Sequence, residues 1–124
     1  MSSSNVLLID DNTHQHELFD CYAATANTIN LMSALDVDEG MVTMMDKCPD
    51  VILLDNRLVE VENFKESVPE LRAFGFTGPI VVISSDISSI TKDEMDDYLV
   101  SGCIDKFDFD LGNFETKIVE LMAA

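Results

Sequence analysis

With 124 residues, 47% of them apolar and 25% charged, the chain suits one compact domain with one core and has no room for a second. Seven Lys and Arg stand against 24 Asp and Glu, a formal net charge of −17. A field of that sign argues against direct nucleic-acid binding and against anionic membranes, because both rest on basic side chains neutralising phosphates. The acidity reads first as a device for solubility or for a high-salt habitat, and second as an acidic docking face for a basic partner. Cys21, Cys48 and Cys103 fall within apolar patterns and far from any C-x-x-C, so they are expected to be reduced core thiols. The amino terminus has no basic n-region, and the longest strongly apolar runs, such as residues 80–83, are too short to span a bilayer. A cytoplasmic protein without membrane insertion is expected.

Residues 6–9 are a short apolar run stopped by Asp10, Asp11 and Asn12, the mark of a strand buried on both faces. A helix follows, with Leu18, Cys21, Tyr22 and Thr25 at helical spacing and Asn12 or Thr13 as its cap. Residues 29–32 form a weaker strand, partly exposed at an edge. Asp36-x-x-Glu39 is a capping-box signature, and Val37, Met41, Met44, Met45 and Cys48 behind it make one apolar stripe. A methionine stripe at this spacing predicts core, although such stripes also serve as adaptable binding surfaces. Pro49 closes the helix and residues 51–54 run as a buried strand into Asp55. Val61, Phe64, Val68 and Leu71 mark the next helix face. Two readings stay open there: a helix from about Asn63 kinked at Pro69, or one that starts at Ser67-x-x-Glu70 with Pro69 harmless in its first turn. Residues 80–83 are a fourth buried strand ending at Ser84. Thr91-x-x-Glu94 opens a helix with Met95 and Leu99 on one face and Gly102 as its C-terminal glycine. A last short strand at residues 103–105 leads into Lys106, and Phe114, Ile118, Leu121 and Met122 form the final amphipathic helix.

Strands that are continuous apolar runs, alternating with helices, predict a parallel sheet covered on both faces. Right-handed crossovers bring every strand's C-terminal end to one edge, where ligands bind in such sheets. Asp10 and Asp11 follow the first strand, Asp55 the third, Ser84 the fourth and Lys106 the fifth. Three carboxylates packed together resist ionising unless a cation neutralises them, and a hard divalent ion such as Mg²⁺ or Mn²⁺ is the natural solution. A divalent ion beside a nucleophilic carboxylate, with a hydroxyl and a Lys to hold oxygens, is what transient aspartyl phosphorylation requires. Any one of these residues alone could be a strand end or a cap; their joint placement on the expected elements sets coincidence aside.

At this point the sequence resembles the receiver domain of two-component response regulators, over essentially the whole chain from Asn5 to Met122. The carriers are Leu8-Ile9-Asp10-Asp11-Asn12, Ile52-Leu53-Leu54-Asp55-Asn56-Arg57-Leu58, Pro79-Ile80-Val81-Val82-Ile83-Ser84 and Asp105-Lys106. The resemblance implies a flavodoxin-like (βα)5 doubly wound sandwich, strand order 2-1-3-4-5, as a single domain over residues 1–124 with its core about 5–122 and no output domain. It implies that Asp55 accepts a phosphoryl group from a phosphohistidine on a sensor histidine kinase or histidine phosphotransfer protein. Asp11 and Asp55 would bind Mg²⁺ directly with the backbone carbonyl of Arg57, and Asp10 mainly through water. Ser84 would be the switch hydroxyl and Lys106 the group that stabilises the acyl phosphate. Phosphorylation would then bias a docking surface on the fourth helix, fifth strand and fifth helix toward a downstream protein target.

Several positions depart from that family's pattern. Cys103 stands where an aromatic switch residue is usual, Phe107 replaces a proline, and Val59 and Asn63 stand where Pro and Gly are common. Arg57 and Asp86 each lie two residues past a site residue; the resemblance implies that these positions flank the attacking water, so an ion pair between them is expected to gate it. His14 and His16 do not share a helix face, so a metal site built from both is not expected; His14 is expected to face solvent. No cofactor beyond the ion, and no free-standing enzymatic turnover, is expected. The alternative is a degenerate receiver that binds partners without phosphorylation. A phosphatase of the haloacid dehalogenase type would want an acid where Arg57 stands, and no Gly-rich phosphate loop follows the first strand for a nucleotide or flavin.

Overall fold

A computed structural model of the chain describes residues 4–26, 28–58 and 63–123. Five strands, β1 (Ser4–Ile9), β2 (Ile29–Ala34), β3 (Val51–Asp55), β4 (Ile80–Ser84) and β5 (Gly102–Asp105), alternate with five helices. The helices are α1 (Thr13–Ala24), α2 (Val37–Asp46), α3 (Phe64–Phe74), α4 (Lys92–Asp97) and α5 (Phe114–Ala123). All strand pairs are parallel and the order is β2-β1-β3-β4-β5, as expected.

The period-two geometry of a strand splits the apolar runs between two cores. Leu7, Ile9, Ile52, Leu54, Ile80 and Val82 face one side, under Val37 of α2 and Phe64, Val68 and Leu71 of α3. Val6, Leu8, Val51, Leu53, Val81 and Ile83 face the other, under Phe19 and Tyr22 of α1 and Phe114 and Ile118 of α5. Phe19 makes edge contacts with Phe109 and Phe114 at 5.2 and 5.3 Å between ring centroids. Each such side chain taken out of water contributes about 1.5–3 kcal/mol, which makes the three central strands the rigid base for whatever sits at their ends.

Capping follows the local sequence. Asn12 caps α1, its side chain accepting from the His14 amide at 2.9 Å. Asp36 caps α2 by accepting from Glu39 N at 2.8 Å, while the Glu39 carboxylate reaches back to Leu35 N rather than to Asp36. The Thr91 and Glu94 box on α4 is complete in both directions.

Four expectations need correction, and one open choice is decided. The buried side of α1 is His16, Phe19 and Tyr22; Leu18 and Cys21 are exposed, and Thr25 is the C-cap. A buried histidine, three residues before Phe19 and six before Tyr22, sets this face. On α2, Val37, Met41 and Met44 pack inward, but Met45 is 78% exposed and Cys48 lies beyond the helix end, exposed. The cysteines are therefore not all core thiols: Cys21 and Cys48 are exposed and Cys103 is half-buried. α3 begins at Phe64, capped by Asn63, and continues through Pro69, so the start at Ser67 is excluded. Val61, assigned to the α3 face, and Val59 lie outside the described residues. Finally, α4 ends at Asp97, and the left-handed residue after it is Leu99, at φ 56°, not Gly102, which opens β5. No helix among the described residues is long and apolar enough to cross a membrane.

Candidate functional site

The C-terminal ends of β1, β3, β4 and β5 meet at one edge of the sheet. Asp10 directly follows β1, Asp55 and Ser84 are the last residues of β3 and β4, and Lys106 directly follows β5. Register makes the convergence exact to one residue: Asp55 is level with Ile83, and Ser84 with Asp105. Asp10 and Asp55 are buried, while Asp11 reaches solvent, and one oxygen from each of the three carboxylates lies within 4.8 Å of the others.

Lys106 enters this cluster from β5. Its ammonium is 3.0 Å from Asp10 Oδ2 and 3.3 Å from Asp55 Oδ1. Burial opposes the lysine's charge, but Asp55 and Asp10 outweigh burial and hold its pKa above the ordinary value. Asp55 goes the other way: burial first, and then the charge of Asp10, push its pKa up to about 7, against the pull of Lys106. Oδ2 of Asp10 is fully buried, with the Lys106 ammonium as its charged neighbour. Three carboxylates against one ammonium leave the cluster short of positive charge, and an all-oxygen donor set of this kind fits a hard divalent cation.

A cavity of about 270 Å³ opens beside Asp55, walled by Arg57, Ser84, Asp86, Ser89 and Lys106. Ser84 Oγ accepts from Asp86 N at 3.0 Å and donates to the Asp86 carbonyl at 3.2 Å. Arg57 N donates to Asp55 Oδ1 at 3.3 Å. The expected ion pair between Arg57 and Asp86 is not formed among the described residues; Asp86 Oδ1 instead accepts from the Ser88 hydroxyl at 2.5 Å and the Ser88 amide at 3.2 Å. Both residues nonetheless border the cavity.

His14 is exposed and 3.6 Å from Glu17, away from the site. His16 was overlooked as a site residue. It is buried, and its Nε2 lies 2.6 Å from the Asp10 carbonyl oxygen, which can only accept, so Nε2 carries the proton. The signal was its spacing of three and six residues from Phe19 and Tyr22. Asn56 was also missed: buried beside Asp55, its Oδ1 accepts from Phe64 N at 3.0 Å and ties the β3 end to the start of α3. At the position where an aromatic was looked for, Cys103 packs partly buried against the first core, its thiol pushed up to about 11 by burial and then by Asp105. Tyr98 packs edge-on against Phe64 at 5.8 Å, and Phe107 is 82% exposed.

A doubly wound sheet of order 2-1-3-4-5 with acids at the ends of β1 and β3, a hydroxyl at the end of β4 and a lysine after β5 has the fold of a response-regulator receiver domain. The chemotaxis protein CheY4 of Vibrio cholerae superimposes with a TM-score of 0.80 at 19% identity, over 96% of this chain and 98% of that one. A CheY-like receiver domain from Methylobacillus flagellatus gives 0.78 at 16% identity, over 96% and 98%. A two-component response regulator of the LuxR family from Aurantimonas sp. SI85-9A1 gives 0.81 at 17% identity, over 98% of this chain and 86% of that one. Neither a protein-family model nor a curated protein matches the sequence.

Proposed function

We propose that this domain is a phosphoacceptor switch, with Asp55 taking a phosphoryl group from a phosphohistidine donor. The observation that carries the reading is the position of the Asp55 carboxylate, buried at a strand end between Lys106 and Asp10 and open to a cavity that Ser84 also lines. In the transfer an Asp55 oxygen attacks phosphorus, the donor's P–N bond breaks, and the imidazole leaves with the bond's electrons. Lys106, already 3.3 Å from Asp55 Oδ1, stays paired with the acyl phosphate formed there. Asp10, Asp11 and Asp55, with the Arg57 carbonyl, would hold a divalent ion, Mg²⁺ or Mn²⁺, which supplies positive charge for the phosphoryl oxygens.

Ser84 is the part that moves. Its hydroxyl is engaged with Asp86, and turning it toward a phosphoryl oxygen requires release of the Asp86 carbonyl, which couples the site to the loop leading into α4. Arg57 and Asp86 act separately on the rim, controlling access of water to the acyl phosphate; faster loss of the phosphoryl group in Arg57→Ala or Asp86→Ala checks this. The domain assists its own phosphorylation and dephosphorylation rather than turning over a free substrate, and its output is a contact with a downstream protein in the cytoplasm.

The test is intact-protein mass after incubation with a small phosphodonor and Mg²⁺. One phosphoryl adduct is expected in the wild type and none in Asp55→Asn or with chelator. An unmodified wild type with both a small donor and a phosphohistidine protein overturns the reading in favour of a phosphorylation-independent interaction module.

A further inference from the structure

The surface around β2 has no part in the phosphoacceptor site, and its chemistry is unusual for a sheet edge. β2 is the outermost strand beside β1, so its other side presents backbone donors and acceptors. Proteins ordinarily guard such an edge with charged residues, proline or a bulge. Ile29–Ala34 contains neither a charged residue nor a proline, in a chain of which 25% is charged.

Beside this edge the outer turn of α2 sets apolar side chains into water. Val42 is 66% exposed and Met45 78%, three residues apart on one helix face. With Met32 of β2 they line an open cavity of about 700 Å³, bordered by Thr43, Asp46 and Lys47. Met32 and Ala34 belong to the α2 side of the sheet, and Ile29 and Leu31 to the other. A strand added along β2 would therefore place every second side chain over Met32, Val42 and Met45.

Charge decides the occupant. A second copy of this chain would bring another −17 against the first, and Asp46 and Lys47 roughly cancel within the cavity wall. The long-range field therefore repels self-pairing and draws a cationic segment. We propose that the free edge of β2, with Met32, Val42 and Met45, docks an extended basic segment of another protein, apolar at alternate positions, as a sixth strand. The methionines adapt to the apolar side chains and the backbone supplies the hydrogen bonds.

The probe is an acetylated, amidated peptide of five Lys-Val repeats, titrated while backbone amide shifts and hydrogen exchange are followed. Slowed exchange confined to β2, with shifts at Val42 and Met45, is expected. A Val42→Ser/Met45→Ser double variant keeps the net charge and leaves the core intact, and should bind about tenfold more weakly, equivalent to about 1.4 kcal/mol. A Glu-Val peptide should not bind, and Asp55→Asn should bind like the wild type, which separates this surface from the phosphoacceptor reading. Shifts scattered over the acidic faces without protection of β2, equal binding by the double variant, or a peptide-free dimer joined through β2 would each overturn the proposal.

Discussion

Asp55 and Lys106 show how one pair of side chains makes the site both unstable and useful. Burial and Asp10 raise Asp55 from 3.8 to about 7, so between those values the folded chain keeps a proton that the unfolded chain has released. Stability must then fall as pH rises through that window, the reverse of an ordinary salt-bridged aspartate. Asp55→Asn removes this dependence and is expected to stabilise the protein at pH 8 by about 1–3 kcal/mol, with little effect near pH 4, measured by urea unfolding at both. Lys106 works in the opposite sense, since its ammonium offsets two buried carboxylates. Lys106→Met should cost about 3 kcal/mol at pH 8, less at pH 5 where Asp55 holds its proton, and the loss should be partly recovered on adding Mg²⁺. Equal urea midpoints for the variant and the wild type at pH 8 would show that the carboxylates relax without it.

Among the helices, α4 carries the least packing: it spans Lys92–Asp97 and buries none of its own residues. It is held by its capping box, by the ion pair of Glu94 with Lys65 of α3, and by Arg72 of α3, which donates to the Leu99 carbonyl at 3.1 Å. Leu99 sits at φ 56° with 72% of its surface exposed, so its side chain gives little back for the strained backbone. Leu99→Gly is expected to stabilise the domain by about 0.5–1 kcal/mol, read as a rise in melting temperature; a fall would mean that the leucine's contacts outweigh the strain. The helix starts at Asp36 and Thr91 could be read beforehand because a cap is a contact within three residues. The choice between a helix through Pro69 and one that starts at Ser67 could not. The missing backbone bond costs about 3 kcal/mol, and burying Phe64, Val68 and Leu71 offsets it only where the β3 and β4 side chains wait beneath them.

At the scale of the molecule, the charge of −17 is spread over a domain of 124 residues, and most of it faces water. Self-repulsion of that size is screened by salt, the Debye length falling from about 10 Å at 0.1 M to about 3 Å at 1 M. The melting temperature should therefore rise steadily with NaCl, by several degrees or more, and a flat profile would show that the surface charges are already compensated by their neighbours. The same field works against self-association, leaving the uncharged β2 edge open to a partner of opposite sign.

The order of elements, the parallel sheet and the gathering of Asp10, Asp11, Asp55, Ser84 and Lys106 followed from the sequence by itself. Apolar runs of strand length bounded by polar residues are a local signal, and right-handed crossovers leave one edge for their ends. Only the tertiary structure decided which faces are inside and which charges meet. His16 is buried because the Asp10 carbonyl at the end of β1 awaits its ring, and Met45 is exposed because the core is filled by Met41 and Met44 before the helix turns that far. Asp86 turns to Ser88 rather than Arg57 because a hydrogen bond two residues away holds it in a turn. Each of these outcomes is a competition between local and distant partners, and spacing along the chain names the candidates without ranking them.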